Sequence, residues 1–403
     1  MSINLHSEEQ LQLFDTDNFI KRKHSDEDIN EKYSKGEVRI ITEQARYPLN
    51  TILSLVESPD YILNPEFQRR HRWDKKRKSR LIESFIMNVP IPPIFLYEKE
   101  YSVYEVMDGL QRLTAISQFY KDEFELQDLV EWSELNGYKY SNLPEQIRKG
   151  IDRRYISSII LLQETAKTER EANRLKQLVF ERINSGGEKL KAQEIRNALY
   201  PGKLNTLTIR IARDEHFCKL WDIPEPDQHE IQTNEPRQEV IENIYYKDMS
   251  DAELCLRFIA YRQIEGWQGN TMEIFLDEFL KAGNESFRDE VLEHLETLFK
   301  STTKLAFDIF EKKAFWLHRS REGVWFHYER PTKILYDPLM QVLSKFVDKS
   351  EILISKKEEI IQATKAFHID NYETFKGRDT NKTKVTERIE LLNNFFNSFI
   401  DEK

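Results

Sequence analysis

The chain has 403 residues, and its 60 lysines and arginines against 70 aspartates and glutamates leave a formal net charge of −10. That balance excludes a wholly basic nucleic-acid coat protein. Hydrophobic residues make up 39% and aromatic residues 12% of the chain, which is enough to build buried cores, so global disorder is excluded. The length predicts two or three domains.

The cellular compartment is predicted from what the sequence lacks. Cys218 and Cys255 are the only cysteines, too few and too far apart for a disulfide framework or a thiolate metal cluster, so we expect a reducing cytoplasm. The first nine residues lack a basic segment followed by an apolar core, and no apolar run approaches the roughly 20 residues that span a bilayer. We therefore expect neither secretion nor a membrane span.

The N-terminal half alternates between strand-like and helical patterns. Residues 1–36 are polar and predict a loosely ordered arm. A strand-like pattern starts at Glu37, a helix follows over 48–56, and residues 59–73 are irregular and rich in arginine. Asp74 is the predicted N-cap of a helix that ends at Val89. Two short strands follow, over 94–97 and 103–107.

The pattern switches from strand to helix at Asp108-Gly109. A strand is predicted over 156–162, a helix over 168–183, a break at 184–187 and a helix over 193–199. Beyond residue 203 strands become scarce, and the predicted helices include 239–246, 252–261, 287–310, 352–367 and 385–400. The chain is therefore predicted to be α+β, with an arm over 1–36, a mixed domain over 37–202 and a helical domain over 203–403.

The segment Asp108-Gly109-Leu110-Gln111-Arg112 has the composition of an anion site. The first N–H groups of a helix have no partner inside it, the helix dipole adds positive charge there, and Gly109 lets a ligand approach the backbone. Arg112 adds a guanidinium suited to a phosphate. Taken alone, the motif favours a plainer role, in which Asp108 caps the helix and Arg112 forms a surface ion pair.

A basic segment precedes this helix in the sequence. Residues 66–80 contain eight lysines and arginines against two acids, which suits a polyphosphate or a nucleic-acid backbone. Arg72, Arg77 and Arg80 are the candidates for contact with nucleic acid. The alternative is that residues 75–80 form the solvated face of the helix that starts at Asp74. Trp73 is expected to pack beneath the loop rather than to stack on a base.

Three motifs in this order resemble the N-terminal domain family of the GmrSD restriction endonucleases. They are Phe67-Gln68-Arg69 to Trp73, Leu81-Ile82-Glu83-Ser84 with Pro90-Ile91-Pro92-Pro93-Ile94, and Met107-Asp108-Gly109-Leu110-Gln111-Arg112-Leu113-Thr114. A later segment, Phe180-Glu181-Arg182-Ile183-Asn184-Ser185-Gly186-Gly187 with Gln193-Glu194-Ile195-Arg196, resembles the same family. The resemblance covers about residues 37 to 200.

The resemblance implies a fold like ParB and sulfiredoxin, and a domain that binds and often hydrolyses nucleotides in defence against modified phage DNA. It implies nucleotide contacts for Gln68, Arg69, Gly109, Arg182 and Asn184. The family signature is Asp-Gly-Gln-Gln-Arg, and here Leu110 replaces its first Gln. Because neighbouring helical positions point about 100° apart, Leu110 can face the core and leave Gln111 and Arg112 in place.

We hypothesise that the mixed domain binds a nucleoside triphosphate with Mg²⁺. Asp108 would hold the metal or orient water, Gln111 would position the attacking water, and Arg112 with Arg69 would neutralise charge on the phosphates. The first alternative is a DNA-binding or adaptor protein without turnover. The second is a nuclease within the ParB-like domain that uses Asp108 and a divalent ion, for which one acid beside an arginine-rich loop falls short of a two-metal site.

Many relatives carry a C-terminal His-Asn-His nuclease domain, which needs a histidine base beside metal ligands. Here His318, His327 and His368 are scattered along the sequence without that spacing, and each is expected to be structural. Glu194 and Arg196 are expected to form no more than a surface pair. The resemblance makes a separate nuclease or effector subunit a plausible partner, and the sequence is compatible with a homo-oligomer.

Overall fold

A five-stranded mixed sheet organises the N-terminal part of the chain in the computed structural model. Its strands are β1 (Thr42–Pro48), β2 (Tyr61–Ile62), β3 (Ile94–Glu100), β4 (Val103–Asp108) and β5 (Tyr155–Leu161), in the spatial order β1-β5-β3-β4-β2. β3 runs parallel to β5 and antiparallel to β4. The structure describes residues 5–11, 25, 27, 30, 34, 40–63, 73–165, 169–183, 191–233, 235–268, 271–321, 324–377 and 379–400.

Helices cover both faces of this sheet. They are α1 (Ile52–Glu57), α2 (Lys75–Met87), α3 (Leu110–Tyr120), α4 (Glu145–Asp152) and α5 (Glu169–Ile183). Alternate residues of a strand point to opposite faces. Leu96 on one face joins a core with α1 to α4, whereas Tyr97 on the other face packs with Ala172 of α5.

The sheet is curled rather than flat. In a flat sheet the two edge strands, β1 and β2, would lie about 19 Å apart, because neighbouring strands are separated by about 4.8 Å. The hydroxyl groups of Tyr47 on β1 and Tyr61 on β2 are nevertheless 3.3 Å apart. The curvature brings the edges together over the core formed with α1 and α3.

The remainder of the described chain is mostly helical. Its helices are α6 (Ala192–Leu199), α7 (Lys203–Ile211), α8 (Glu215–Leu220), α9 (Gln228–Thr233), α10 (Gln238–Glu242), α11 (Ile244–Lys247), α12 (Ser250–Tyr261), α13 (Met272–Ser286), α14 (Asp289–Phe310), α15 (Lys333–Leu343), α16 (Ser350–Ser355), α17 (Lys357–Asp370), α18 (Tyr372–Phe375) and α19 (Lys382–Ile400). One hairpin, β6 (Leu317–Arg321) and β7 (Val324–Tyr328), interrupts them. The large core of this region includes Phe258, Phe299 and Tyr336.

By contacts, the chain divides into an N-terminal unit, Asn18–Leu190, and a C-terminal unit, Met1–Asp17 with Lys191–Lys403. The second unit includes residues from the predicted arm. Glu9 is fully buried and accepts two hydrogen bonds from Arg262, at 2.5 and 2.9 Å. The contact between Glu9 and Arg262 was not predicted from the sequence, because the two residues are 253 positions apart.

The α+β prediction is confirmed, with its mixed sheet followed by a mostly helical region. Asp74 caps α2 as predicted, since its carboxylate accepts from the Arg77 N–H at 2.7 Å. The predicted helices over 239–246 and 352–367 are each two helices, broken at Asn243 and Lys356. None of the described helices is long and apolar enough to cross a membrane.

Candidate nucleotide-binding site

Gly109 joins β4 to α3 in a conformation that other residues rarely adopt. Its φ is +96°, and a Cβ built there would lie 2.4 Å from Cγ2 of Ile94 and 3.0 Å from Nη2 of Arg112. Both the backbone angle and the close packing therefore require glycine. As the N-cap of α3, Gly109 also brings no side chain to cap the helix.

The start of α3 consequently presents open hydrogen-bond donors. No acceptor among the described residues takes a hydrogen bond from the backbone N–H groups of Leu110, Gln111 and Arg112. Such N–H groups, with the positive end of the helix dipole, form an anion-binding surface. Leu110 is only 6% exposed, which confirms that its side chain faces inward and leaves the two polar neighbours free to point elsewhere.

Arg112 folds back onto the strand end that precedes its helix. Its Nη2 donates to Oδ2 of Asp108 at 2.6 Å and to the carbonyl of Pro93 at 3.4 Å. The Arg112 side chain is 12% exposed, against 34% for Asp108. The expected surface pair is thus a largely buried one. The Arg112 Nε is buried and has no hydrogen-bond partner in the described part of the chain, so the guanidinium has an unused donor.

Gln111 links the start of α3 to the start of α2. Its Oε1 accepts a hydrogen bond from the backbone N–H of Trp73 at 3.1 Å. The Gln111 side-chain nitrogen then remains as the donor of this amide. Trp73 packs against the core as predicted, and the guanidinium of Arg77 lies 5.4 Å from the centre of its ring.

α5 packs on the face of the sheet opposite to α3. Nζ of Lys176 on α5 lies 2.8 Å from Oε2 of Glu105 on β4. Arg182, in the last turn of α5, is exposed. Its role at the nucleotide stays a prediction.

Four predicted site residues, Gln68, Arg69, Arg72 and Asn184, lie outside the described residues. Their roles stay predictions. The two other candidates for nucleic acid, Arg77 and Arg80, are exposed on α2, next to the exposed Lys75 and Lys76. The exposure of this basic face fits both of its predicted roles, as a solvated surface and as a contact for nucleic acid.

Arg196 corrects the expectation of a surface pair. Its side chain is 2% exposed, and it contacts Oδ1 of Asp277 at 2.6 Å and Oε2 of Glu253 at 3.3 Å. Glu194 is also buried and caps α6 through the backbone N–H of Lys191. Both residues of this motif therefore anchor α6 inside the C-terminal unit, which sequence spacing alone did not reveal.

The three histidines that are scattered in the sequence come together in space. The rings of His318 and His327 stack with their centres 4.5 Å apart, and Nδ1 of His318 lies 3.2 Å from Nδ1 of His368. Burial, with smaller contributions from the other two rings, lowers the pKa of His368 to about 3. The pKa values of His318 and His327 are also lowered, chiefly by burial. The cluster is therefore neutral at pH 7.

No group of three or more His, Cys, Asp or Glu side chains within the described ranges is arranged to hold a metal ion. A Mg²⁺ ion that is bound to nucleotide phosphates needs fewer ligands from the protein, since one or two carboxylates suffice. Asp108 fits that limited requirement, because Arg112 engages its Oδ2 and no described residue bonds its Oδ1.

Comparison with protein families supports the resemblance described above. Residues 49–201 match the family model described as GmrSD restriction endonuclease, N-terminal domain. The matched span runs from the residue after β1 to the residues just beyond α6, and it includes the start of α3. Comparisons with curated proteins and with solved structures gave no match.

Proposed function

We propose that this chain binds a nucleoside triphosphate at the start of α3 and hydrolyses it with Mg²⁺, because residues 49–201 match the N-terminal domain family of the GmrSD restriction endonucleases. The family points to a restriction or phage-defence system. The observation that carries the proposal is the row of three backbone N–H groups without a described partner, next to the buried guanidinium of Arg112.

Binding would use donors that are already in place. The N–H groups of Leu110, Gln111 and Arg112 would donate to phosphate oxygens. Arg112 would turn part of its guanidinium from Asp108 to a phosphate, a charge-assisted contact in a poorly solvated place. The absence of a Cβ at Gly109 gives that guanidinium room to move, since the Cβ position lies 3.0 Å from its Nη2.

Hydrolysis would depend on positioning and on charge neutralisation. When bound, Mg²⁺ would neutralise charge on the phosphates. Oδ1 of Asp108 is the protein atom that would hold the metal or orient water. Gln111 would act through its side-chain nitrogen, because Trp73 engages its oxygen. Arg112 would stabilise charge on the transferred group, and the resemblance adds Arg69 to this role.

The experiment compares two buried cations of the same unit. Arg112→Met removes a charge at the proposed site. Lys176→Met removes one from the opposite face of the sheet, where Lys176 pairs with Glu105. The side chains of Arg112 and Lys176 are each 12% exposed, so both substitutions are made at equally buried positions. Nucleotide binding and phosphate release are measured for each of the four ribonucleoside triphosphates with Mg²⁺, with and without DNA.

We expect Arg112→Met to weaken binding and to abolish turnover, whereas Lys176→Met keeps both, with thermal unfolding showing both variants folded. An equal loss in both folded variants would mean that the effect is not specific to the start of α3. Wild-type protein that binds none of the four nucleotides would contradict the proposal.

A second candidate function, DNA binding by the N-terminal unit, is favoured by the exposed basic residues Lys75, Lys76, Arg77 and Arg80 on α2. Phosphate contacts make such binding fall steeply with salt. If this face binds DNA, charge reversal at Arg77 and Arg80 lowers DNA affinity without affecting phosphate release. Weak binding that does not respond to salt would argue against this function.

A further inference from the structure

The hairpin formed by β6 and β7, here called the ribbon, has two chemically different faces. Its strands pair antiparallel, with His318 opposite His327 and Arg319 opposite Phe326. Residues directly opposite each other share a face, and the faces alternate along each strand. One face therefore carries His318, His327 and Trp325, whereas the other carries Arg319, Arg321, Val324, Phe326 and Tyr328.

The histidine face is packed against the protein. His318 contacts His368 of α17, and its backbone N–H donates to Nδ1 of the same residue at 3.3 Å. The ring of Trp325 meets Tyr372 of α18 edge-on, with centres 5.1 Å apart. These contacts fix the ribbon on the two helices, so only the arginine face is available to a partner.

The arginine face combines cations with exposed apolar groups. Val324 is 68% and Phe326 is 42% exposed. The guanidinium of Arg319 lies 4.7 Å from the centre of the Tyr328 ring on the same face. Arg321, at the end of β6, is exposed. Leu317, at the start of β6 on the arginine face, is 1% exposed, so this end of the ribbon is packed into the core.

The arginines of the ribbon differ from the other arginines of this unit. Between residues 191 and 400 the structure describes eleven arginines. Seven pair with carboxylates, namely Arg196, Arg210, Arg213, Arg237, Arg257, Arg262 and Arg288. Arg388 donates to backbone carbonyls. The three that remain, Arg319, Arg321 and Arg330, lie on or next to the ribbon, and among the described residues none has an ion pair. A polyanion is the partner whose charge complements this surface.

We propose that the arginine face of the ribbon binds double-stranded DNA. The major groove admits a two-stranded ribbon, and guanidinium groups serve both phosphates and base edges. Phe326 and Val324 supply apolar contacts of the kind that thymine methyl groups accept. The surface lies outside residues 49–201 and is separate from the nucleotide proposal, which it does not need.

The test compares two pairs of arginines that carry the same charge. Arg319→Gln with Arg321→Gln removes two cations from the ribbon. Arg210→Gln with Arg288→Gln removes two exposed cations of the same unit that are paired with Glu296 and Glu8. Binding of the full-length protein to a labelled 30-base-pair duplex is followed by fluorescence anisotropy over a range of salt concentrations, without nucleotide or Mg²⁺.

We expect the ribbon pair to lower affinity roughly tenfold or more, and to reduce the slope of log K against log salt by about 2, since each lost phosphate contact contributes about 0.9. The control pair should change neither quantity appreciably. Phe326→Ala, at an exposed position, should weaken binding without changing the salt slope, because it removes no charge.

Three results would overturn the proposal. The first is an equal effect of the two arginine pairs, which would indicate a general charge effect. The second is duplex binding that survives the ribbon substitutions. The third is no duplex binding at all, in which case the exposed apolar residues point to a protein partner. Thermal unfolding of each variant establishes that the fold is retained. The Phe326→Ala result stands independently if the arginine variant does not fold.

Discussion

Two features require glycine at position 109, the backbone angle and the close packing, and the contribution of each to stability can be measured separately. Its positive φ disfavours any side chain, and the nearby Ile94 leaves no space for one. Gly137 offers a matched comparison in the same unit. Its φ is +87°, but a Cβ there would meet nothing within 4 Å.

We expect Gly137→Ala to lower the free energy of unfolding by about 1–2 kcal/mol, the strain of a left-handed non-glycine residue. Gly109→Ala should cost a further 1–3 kcal/mol or so, because it also overpacks the site. Urea unfolding of both variants checks this. Equal losses would contradict the close packing between β4 and α3.

The arrangement of the residues proposed to bind nucleotide was the most predictable part of the molecule. Asp108, Gly109 and Arg112 are adjacent in sequence, so helix geometry alone places them together. The pairing of Gln111 with Trp73 was not predictable, because the two residues are 38 positions apart in the sequence. Arg196 was missed for the same reason, since its partners Glu253 and Asp277 are supplied by distant helices.

The ribbon is an element that was not predicted from the sequence. Each of its strands has five residues, too few for a strong alternating signal. The run Val324–Tyr328 is nevertheless rich in aromatic residues and follows Gly323, which is a usable hairpin signal. The predicted helices were found more reliably because their periodic patterns are longer, as in α14 and α19.

The histidine cluster packs the ribbon against α17, and its burial favours the neutral form of the three rings. The pKa of His368 is lowered to about 3, and burial is the main cause. Lys365 contributes to the lowered pKa of His318. At His327, Lys313 lowers the pKa and Glu329 raises it. An unfolded histidine titrates near 6.5. Because the folded pKa is lower, stability from this cluster is present above pH 6.5 or so and is lost as the pH falls towards 3.

We therefore expect the C-terminal unit to unfold more readily at pH 5 than at pH 7. His368→Asn should make that dependence shallower, since its amide oxygen can accept from the His318 N–H and gains no proton in this range. The control is His229→Asn at an exposed position of α9. Unfolding by urea at several pH values measures the effect, and an unchanged pH dependence in His368→Asn would refute it.

At the scale of the whole molecule, the C-terminal unit is built from both ends of the chain. Glu9 forms two hydrogen bonds with Arg262, and the backbone of Leu11 donates to Gln263 at 2.8 Å. No sequence pattern in the polar arm marked these residues, because a single buried carboxylate has no periodicity. The family match ends at residue 201, whereas the compact units divide between Leu190 and Lys191.

Glu9→Gln is expected to destabilise the C-terminal unit by about 3–5 kcal/mol, because it removes the negative charge from a buried ion pair with Arg262. Glu8→Gln is the adjacent control. Glu8 pairs with Arg288 at 3.2 Å, but both side chains are more than half exposed, so its loss should cost no more than about 1 kcal/mol. Thermal and urea unfolding distinguish the two, and similar values would show that the N-terminal residues contribute little.

The most direct test of the nucleotide site is amide hydrogen exchange of the full-length protein with a non-hydrolysable nucleoside triphosphate and Mg²⁺. We expect slower exchange at Leu110, Gln111 and Arg112, whose N–H groups would gain phosphate acceptors. The start of α7 is an internal control, since Leu204 and Asn205 already donate to Asn284 and should not change. Bound nucleotide that leaves the three α3 amides unprotected would contradict nucleotide binding at the start of α3.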